Sequence, residues 1–269
     1  WTGGRLKPLE MYGPSGPETK YGFKHFCEKQ MESYAWDTDT RVGALAAVGA
    51  EVNVHEFDFS KTGVVFEENG VTITSFPAVH QYDGPVSYRL DWNGLSFVYS
   101  GDTTPSQFFI DNARGADVVV HETFNTVEQL MDRSGYDERS ARAIGTFVHS
   151  APEEAAVVLD KVNPRLAVIF HFFNDFDTAP EINELVRRHY SGPLALATDF
   201  MVVNVTKDNI ATRIAEVTAH AWPNKSKHEG FGTAERKPMM QMSDWLREAQ
   251  LFPKVTSERG LINKGEEGS

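Results

Sequence analysis

The sequence predicts an α/β (α+β) protein, an antiparallel meander followed by βαβ-like units that form a mixed sheet or two sheets under helices. Two observations predict it. Residues 51–99 read as consecutive strand-like runs broken by Asn69-Gly70 and Asn93-Gly94, dipeptides that favour tight hairpins. From residue 117 onward, short β-branched runs alternate instead with helical patterns.

Residues 1–17 are rich in Gly and Pro and read as loop, with one short strand around Leu9–Tyr12. Residues 18–48 carry apolar positions at helical spacing and read as one or two helices. The meander then comprises "EVNVHEF", "GVVFEENGVTITSF" and "VSYRLDWNGLSFVYS". Next come a strand at 117–120, helices at about 126–133, 138–147 and 152–161, and a strand at 166–170. A helix at 180–189, a strand at 194–197 and a closing hairpin of 201–206 with 210–215 complete the pattern. From about residue 220 the composition becomes that of a linker. One amphipathic helix is expected at 239–252, carrying Met239, Met242, Trp245, Leu246 and Ala249. That helix would dock on its own domain or on a second copy, so a homodimer is an expectation.

With 269 residues, 41% of them hydrophobic, the chain can bury one sizeable core. Its 26 basic and 38 acidic residues give a net charge of −12, which argues against a broad nucleic-acid-binding face. Cys27 is the single cysteine, so neither an internal disulfide nor a Cys-rich zinc site can form. No run approaches the roughly 18 apolar residues of a membrane span, and the polar start "WTGGRLKPLE" has no secretory pattern. A cytoplasmic protein without membrane contact is expected; an export signal upstream of Trp1 is left open.

Four apolar runs end in residues that bind metals or move protons. "VTITSFPAVH" ends at His80, "LSFVYSGD" at Asp102, "DVVVHE" at His121 and Glu122, and "RLAVIFH" at His171. His149 stands in "FVHSAPEEAA", before a helix that Ser150 is placed to cap. Taken singly, a strand-end histidine is a structural residue more often than a ligand, and Asp102 suits a turn. Together they suggest a site built on strand ends. His25, His55, His189, His220 and His228 occupy helical, charged or tail contexts and read as surface residues. Two imidazoles and one carboxylate without a thiolate suit zinc, iron or manganese. His121 beside Glu122 suits proton delivery to a leaving group.

"PAVHQYDGPVSY", "FVYSGDT", "VVVHETF", "VHSAPEEAA" and "FHFFND", in this order, resemble the metallo-β-lactamase-fold hydrolases. The resemblance is strongest to the ribonuclease Z-like group, which includes environmental β-lactamases of that ancestry, and it runs from Trp1 to about Trp222. It implies an αββα sandwich with a dinuclear metal site, usually two zinc ions, and assigns residues 1–222 to the hydrolase domain and 223–269 to an extension. By motif, His80, Asp102 and His171 resemble metal ligands, Asp102 the one shared between both ions. His121, Glu122 and His149 resemble groups acting near the scissile bond, and Ser150 and Phe172 are candidates for contact with substrate. Phe172, with Phe124 and Phe173, suggests a pocket wall or core packing.

The family's His-x-His-x-Asp-His motif is absent from this sequence and is expected, with the first strands of the fold, to precede Trp1. Three of seven usual ligands are therefore present. The resemblance implies hydrolysis of a small ester, lactone, lactam or phosphodiester by a metal-bound hydroxide, with a nuclease as alternative. A non-catalytic binding protein and a mononuclear iron site of His80, Asp102 and His171 are the other readings.

Overall fold

The structure is a computed structural model of the 269-residue chain, and it describes residues 5–42, 45–217 and 243–249. These fall in two compact units. One contains residues 5–11, 24–42, 45–55 and 243–249, and the other 12–23 and 56–217.

The first unit is mostly helical, with α1 at Phe23–Ser33 and α2 at Ala35–Arg41. Two strands, β1 (Leu9–Pro14) and β2 (Val52–Phe57), form a separate two-stranded sheet. Of the expected tail helix, residues 243–249 are described and Asp244–Glu248 (α8) are helical; 239–242 and 250–252 lie outside the described residues.

The second unit contains a seven-stranded mixed sheet. Its strands are β3 (Gly63–Glu68), β4 (Val71–Pro77), β5 (Val86–Trp92), β6 (Leu95–Tyr99), β7 (Val118–Glu122), β8 (Leu166–Phe170) and β9 (Leu194–Leu196), paired in that order. β3 to β6 pair antiparallel, and β6 to β9 pair parallel. The expected hairpins form at Asn69-Gly70 and Asn93-Gly94. All four residues have φ between +52° and +77°, the left-handed region that a tight hairpin turn demands at both central positions.

Strand direction positions everything that follows. β5 is antiparallel to both β4 and β6, so β4 points the same way as β6, β7 and β8. The C-terminal ends of β4, β6, β7 and β8 thus share one edge of the sheet.

β7 and β8 are buried on both faces, as their uninterrupted apolar runs require. One face, through Val119, Ala167 and Ile169, packs on α3 (Gln107–Ala113), α6 (Pro152–Val162) and α7 (Ala179–Arg187). The other face, through Val118, Leu166 and Val168, packs on the hairpin of β10 (Met201–Val205) and β11 (Ile210–Ile214). Two β layers with helices outside one of them make an α/β metallo-β-lactamase-like arrangement.

The segment expected as one helix at 138–147 is two elements. α5 spans Glu138–Arg142, and a wider π-type helix follows over Ala143–Val148. α4 occupies Val127–Ser134, opened by a Thr126–Gln129 capping box and closed by Gly135 at φ +69°.

Candidate metal centre and proton-transfer site

β4 runs out through Pro77 to His80, and β6 through Ser100 and Gly101 to Asp102. Gly101 has φ +63°, and a Cβ there would stand 3.2 Å from the Val86 carbonyl oxygen. A left-handed turn pressed against β5 explains the glycine and aims Asp102 away from the strand. β8 delivers His171 directly, with φ +73°, a conformation that costs a non-glycine residue about 1 kcal/mol.

Neighbouring groups hold that strained residue in place. The Phe173 amide donates to Asn125 Oδ1 at 2.9 Å, and Asn125 Nδ2 donates to Gln129 Oε1 at 2.7 Å. Gln129 Nε2 donates in turn to Glu181 at 2.8 Å. Arg133 pairs with both Asp175 and Asp177. The loop after β8 is therefore fastened to α4 and α7.

Five side chains converge at the sheet edge. Donor atoms of His80, Asp102 and His149 lie within 4.8 Å of one another, as do those of Glu122, His149 and His171. The rings of His149 and His171 meet edge to face at 4.9 Å, and His80 lies 5.0 Å from His149. Phe124 stacks on His149 at 4.4 Å and meets the edge of His171 at 5.2 Å, an apolar backing for both imidazoles.

Hydrogen bonds fix the imidazole protons. His80 Nδ1 lies 2.7 Å from the Val148 carbonyl. A carbonyl only accepts, so the proton is on Nδ1 and the Nε2 lone pair is free. His149 Nδ1 lies 3.0 Å from Glu122 Oε1, which holds its proton in the same way. Glu122 is fully buried, and its Oε1 also accepts from the Thr103 amide at 3.0 Å and the Ser150 amide at 3.3 Å.

This donor set fits a metal ion. Imidazoles and carboxylates are the ligands zinc takes in the absence of thiolates. Donor atoms around a tetrahedral zinc stand about 3.4 Å apart, which sets of atoms within 4.8 Å can approach. His171 Nδ1 is the more telling atom. It is buried and lies 2.9 Å from Asp102 Oδ1, yet it makes no hydrogen bond. Glu122 Oε2 is likewise buried without a partner. Buried polar atoms are nearly always paired, so two such atoms in one cluster mark a place for a ligand.

The side chains of His121 and Glu122 lie on different faces of β7. Successive strand residues project to opposite faces, and Glu122 enters the cluster while His121 enters the core. The His121 ring is fully buried, edge-on to Phe109 of α3 at 4.7 Å, with Nδ1 donating to the Glu122 carbonyl at 2.6 Å. It belongs to neither group of converging donors.

Ser150 does not cap α6. Ala151 holds the cap position, its amide donating to Glu154 at 3.0 Å. The Ser150 hydroxyl instead donates to the Thr103 carbonyl at 2.7 Å, inside the protein. Phe172 packs against the core under the helices, and Phe173 is the more open of the pair. The participation of His149 in both donor groups was not legible in the sequence, because the π-type helix before it sets its position.

Burial pushes the His121 imidazole below its ordinary pKa, so it is neutral in the folded state. The unfolded chain takes up a proton as pH falls through about 6.5, and the folded chain does not. The stabilisation is therefore complete above that pH and is lost below it. Urea unfolding of the metal-free chain at pH 7.5 and 5.5 is expected to show a larger loss for wild type than for His121→Leu. Equal losses would show that His121 titrates freely in the fold.

Residues 22–172 match the family described as Beta-lactamase superfamily domain. The ribonuclease Z of Mycobacterium marinum is 25% identical over 203 residues, which span 74% of this chain and 68% of that protein. The ribonuclease Z of Methanothermobacter thermautotrophicus is 25% identical over 250 residues, spanning 75% and 71%. Among solved structures, human tRNase Z, short form, aligns over 75% of this chain and 68% of its own, with 18% identity and a TM-score of 0.48.

Proposed function

We propose that this chain, which belongs to the β-lactamase superfamily and is distantly homologous to ribonuclease Z proteins, works as a metal-dependent hydrolase of a small ester, lactone, lactam or phosphodiester. The observation that carries this reading is the convergence of five metal-ligating side chains at the shared strand edge, with His171 Nδ1 and Glu122 Oε2 buried and without a hydrogen bond. His80, Asp102 and His171 would hold zinc there. When bound, the metal supplies a Lewis acid that polarises the scissile group and activates water.

The chain's own residues supply orientation and proton handling. Glu122 keeps the proton of His149 on Nδ1 and fixes the ring, so that Nε2 faces the cluster. In that position His149 can take up a proton and deliver it to a leaving-group oxygen. Phe124 excludes water from one face of the His149 ring. His121 keeps β7 seated on α3 and has no direct part in the chemistry.

Equilibrium dialysis of the chain with zinc, with hydrolysis of p-nitrophenyl acetate, nitrocefin and bis(p-nitrophenyl) phosphate, tests the proposal. At least one equivalent of zinc is expected, lost in His171→Ala, together with zinc-dependent turnover of at least one of these compounds. A chain that binds no zinc sinks the reading. Homology to ribonuclease Z favours a nuclease as the second reading, and cleavage of a tRNA precursor in preference to all three compounds would establish it.

A further inference from the structure

The most exposed large hydrophobic side chains among the described residues are Phe176 (91%), Tyr82 (84%) and Phe147 (78%). Each stands close in sequence to a histidine of the candidate site, Tyr82 and Phe176 on loops and Phe147 in the π-type helix that leads to His149. Tyr82 is two residues beyond His80, Phe147 two before His149, and Phe176 five beyond His171. Phe173, two beyond His171, is also exposed. A two-residue step moves the backbone at most about 7 Å, so Tyr82, Phe147 and Phe173 all start close to the donor cluster. Scattered exposed aromatics are ordinary, and Trp36 of α2 is nearly as open at 77%, but folding does not explain why the three most exposed all flank site histidines.

The charge of these loops narrows what they receive. Residues 78–85, 143–149 and 171–178 contain no lysine or arginine, and their charged residues are Asp83, Asp175 and Asp177. Arg133 of α4 pairs with Asp175 and Asp177 and so is not free to meet an anion. Single-stranded nucleic acid also stacks on aromatic platforms, but those platforms come with a basic groove that follows the phosphates. Here the rim is aromatic and its segments carry no basic residue of their own, on a chain of net charge −12.

Resting on the hydrolase reading, we propose that Tyr82, Phe147, Phe173 and Phe176 form a substrate-binding rim for an uncharged or cationic small molecule with a flat aromatic group beside its scissile bond. The aromatic group lies against the rim side chains while the scissile group reaches the donor cluster. The rim thereby selects for aryl substrates and against polyanions.

The test uses the whole chain with zinc, the neutral probe N-(2-naphthyl)acetamide followed by its fluorescence, and decauridylate as competitor. The variant Tyr82→Ser/Phe147→Ser/Phe176→Ser removes three side chains that point to solvent, so zinc binding and circular dichroism should match wild type. Probe affinity is expected to fall about tenfold or more in that variant, as loss of several aromatic contacts requires. Decauridylate should not displace the probe. Absence of probe binding, or equal affinity in the variant, overturns the rim while leaving the hydrolase reading intact. Displacement by decauridylate also overturns it and turns the rim over to nucleic acid. Failure of the wild-type chain to bind zinc, read in the same preparation, strikes the hydrolase reading instead.

Discussion

Asp102→Ala is expected to lower zinc affinity at least about 100-fold, beyond the 10- to 100-fold typical of removing a group that only supports a ligand. The reason is geometric. Asp102 supplies a carboxylate oxygen both to the group with His80 and His149 and to the close approach of His171 Nδ1. Its removal takes from the group with His80 and His149 its one carboxylate, and with it the negative charge there that balances a divalent cation. The side chain is 41% exposed, so the zinc-free protein should unfold at nearly the same temperature as wild type. The stabilisation that zinc confers by binding only the folded state should disappear. A variant that keeps both its affinity and its zinc-dependent thermal shift would remove Asp102 from the ligand set.

Glu122→Ala is expected to be the most damaging single change to stability in the site, at about 3 kcal/mol. The carboxylate is fully buried and three donors converge on one of its oxygens, from Thr103, His149 and Ser150. Alanine would strand two backbone amides and one imidazole N–H with no route to water. Glu122→Gln keeps an acceptor oxygen for the amides, so it should cost less than half as much. Urea unfolding of the two variants at pH 7.5 separates these outcomes. Equal losses would mean that charge, not hydrogen bonding, ties the residue into the fold.

Particular residues show how much of this was legible in the sequence. The hairpins at Asn69-Gly70 and Asn93-Gly94 could be read because their turn demands φ values that few other residues tolerate. The strand ends at His80, Asp102, Glu122 and His171 could be read because a buried strand ends sharply where polar side chains begin. α3 was not expected at all. Its seven residues bury Phe109, Ile110 and Ala113, too short a pattern to show a helical period. The His121-Glu122 pair illustrates a different limit. Adjacent residues on a strand face opposite ways, but only the sheet's neighbours decide which face is core and which is site. The aromatic loops were partly visible as Phe124, Phe172 and Phe173. That Phe172 turns to the core and Phe176 to solvent depends on how Asn125 and Arg133 anchor the loop.

The shared direction of β4, β6, β7 and β8 also bears on the order of events when the chain folds. The converging groups lie between residues 80 and 171, and β6, β7 and β8 are joined by parallel pairings that close long segments of chain. Such non-local pairings form slowly, and the donor cluster is complete only after the last of them registers. A metal ion bound there would then meet its ligands after the rate-limiting step. It should lengthen the lifetime of the native state by slowing unfolding, and it should leave the speed of its formation almost untouched.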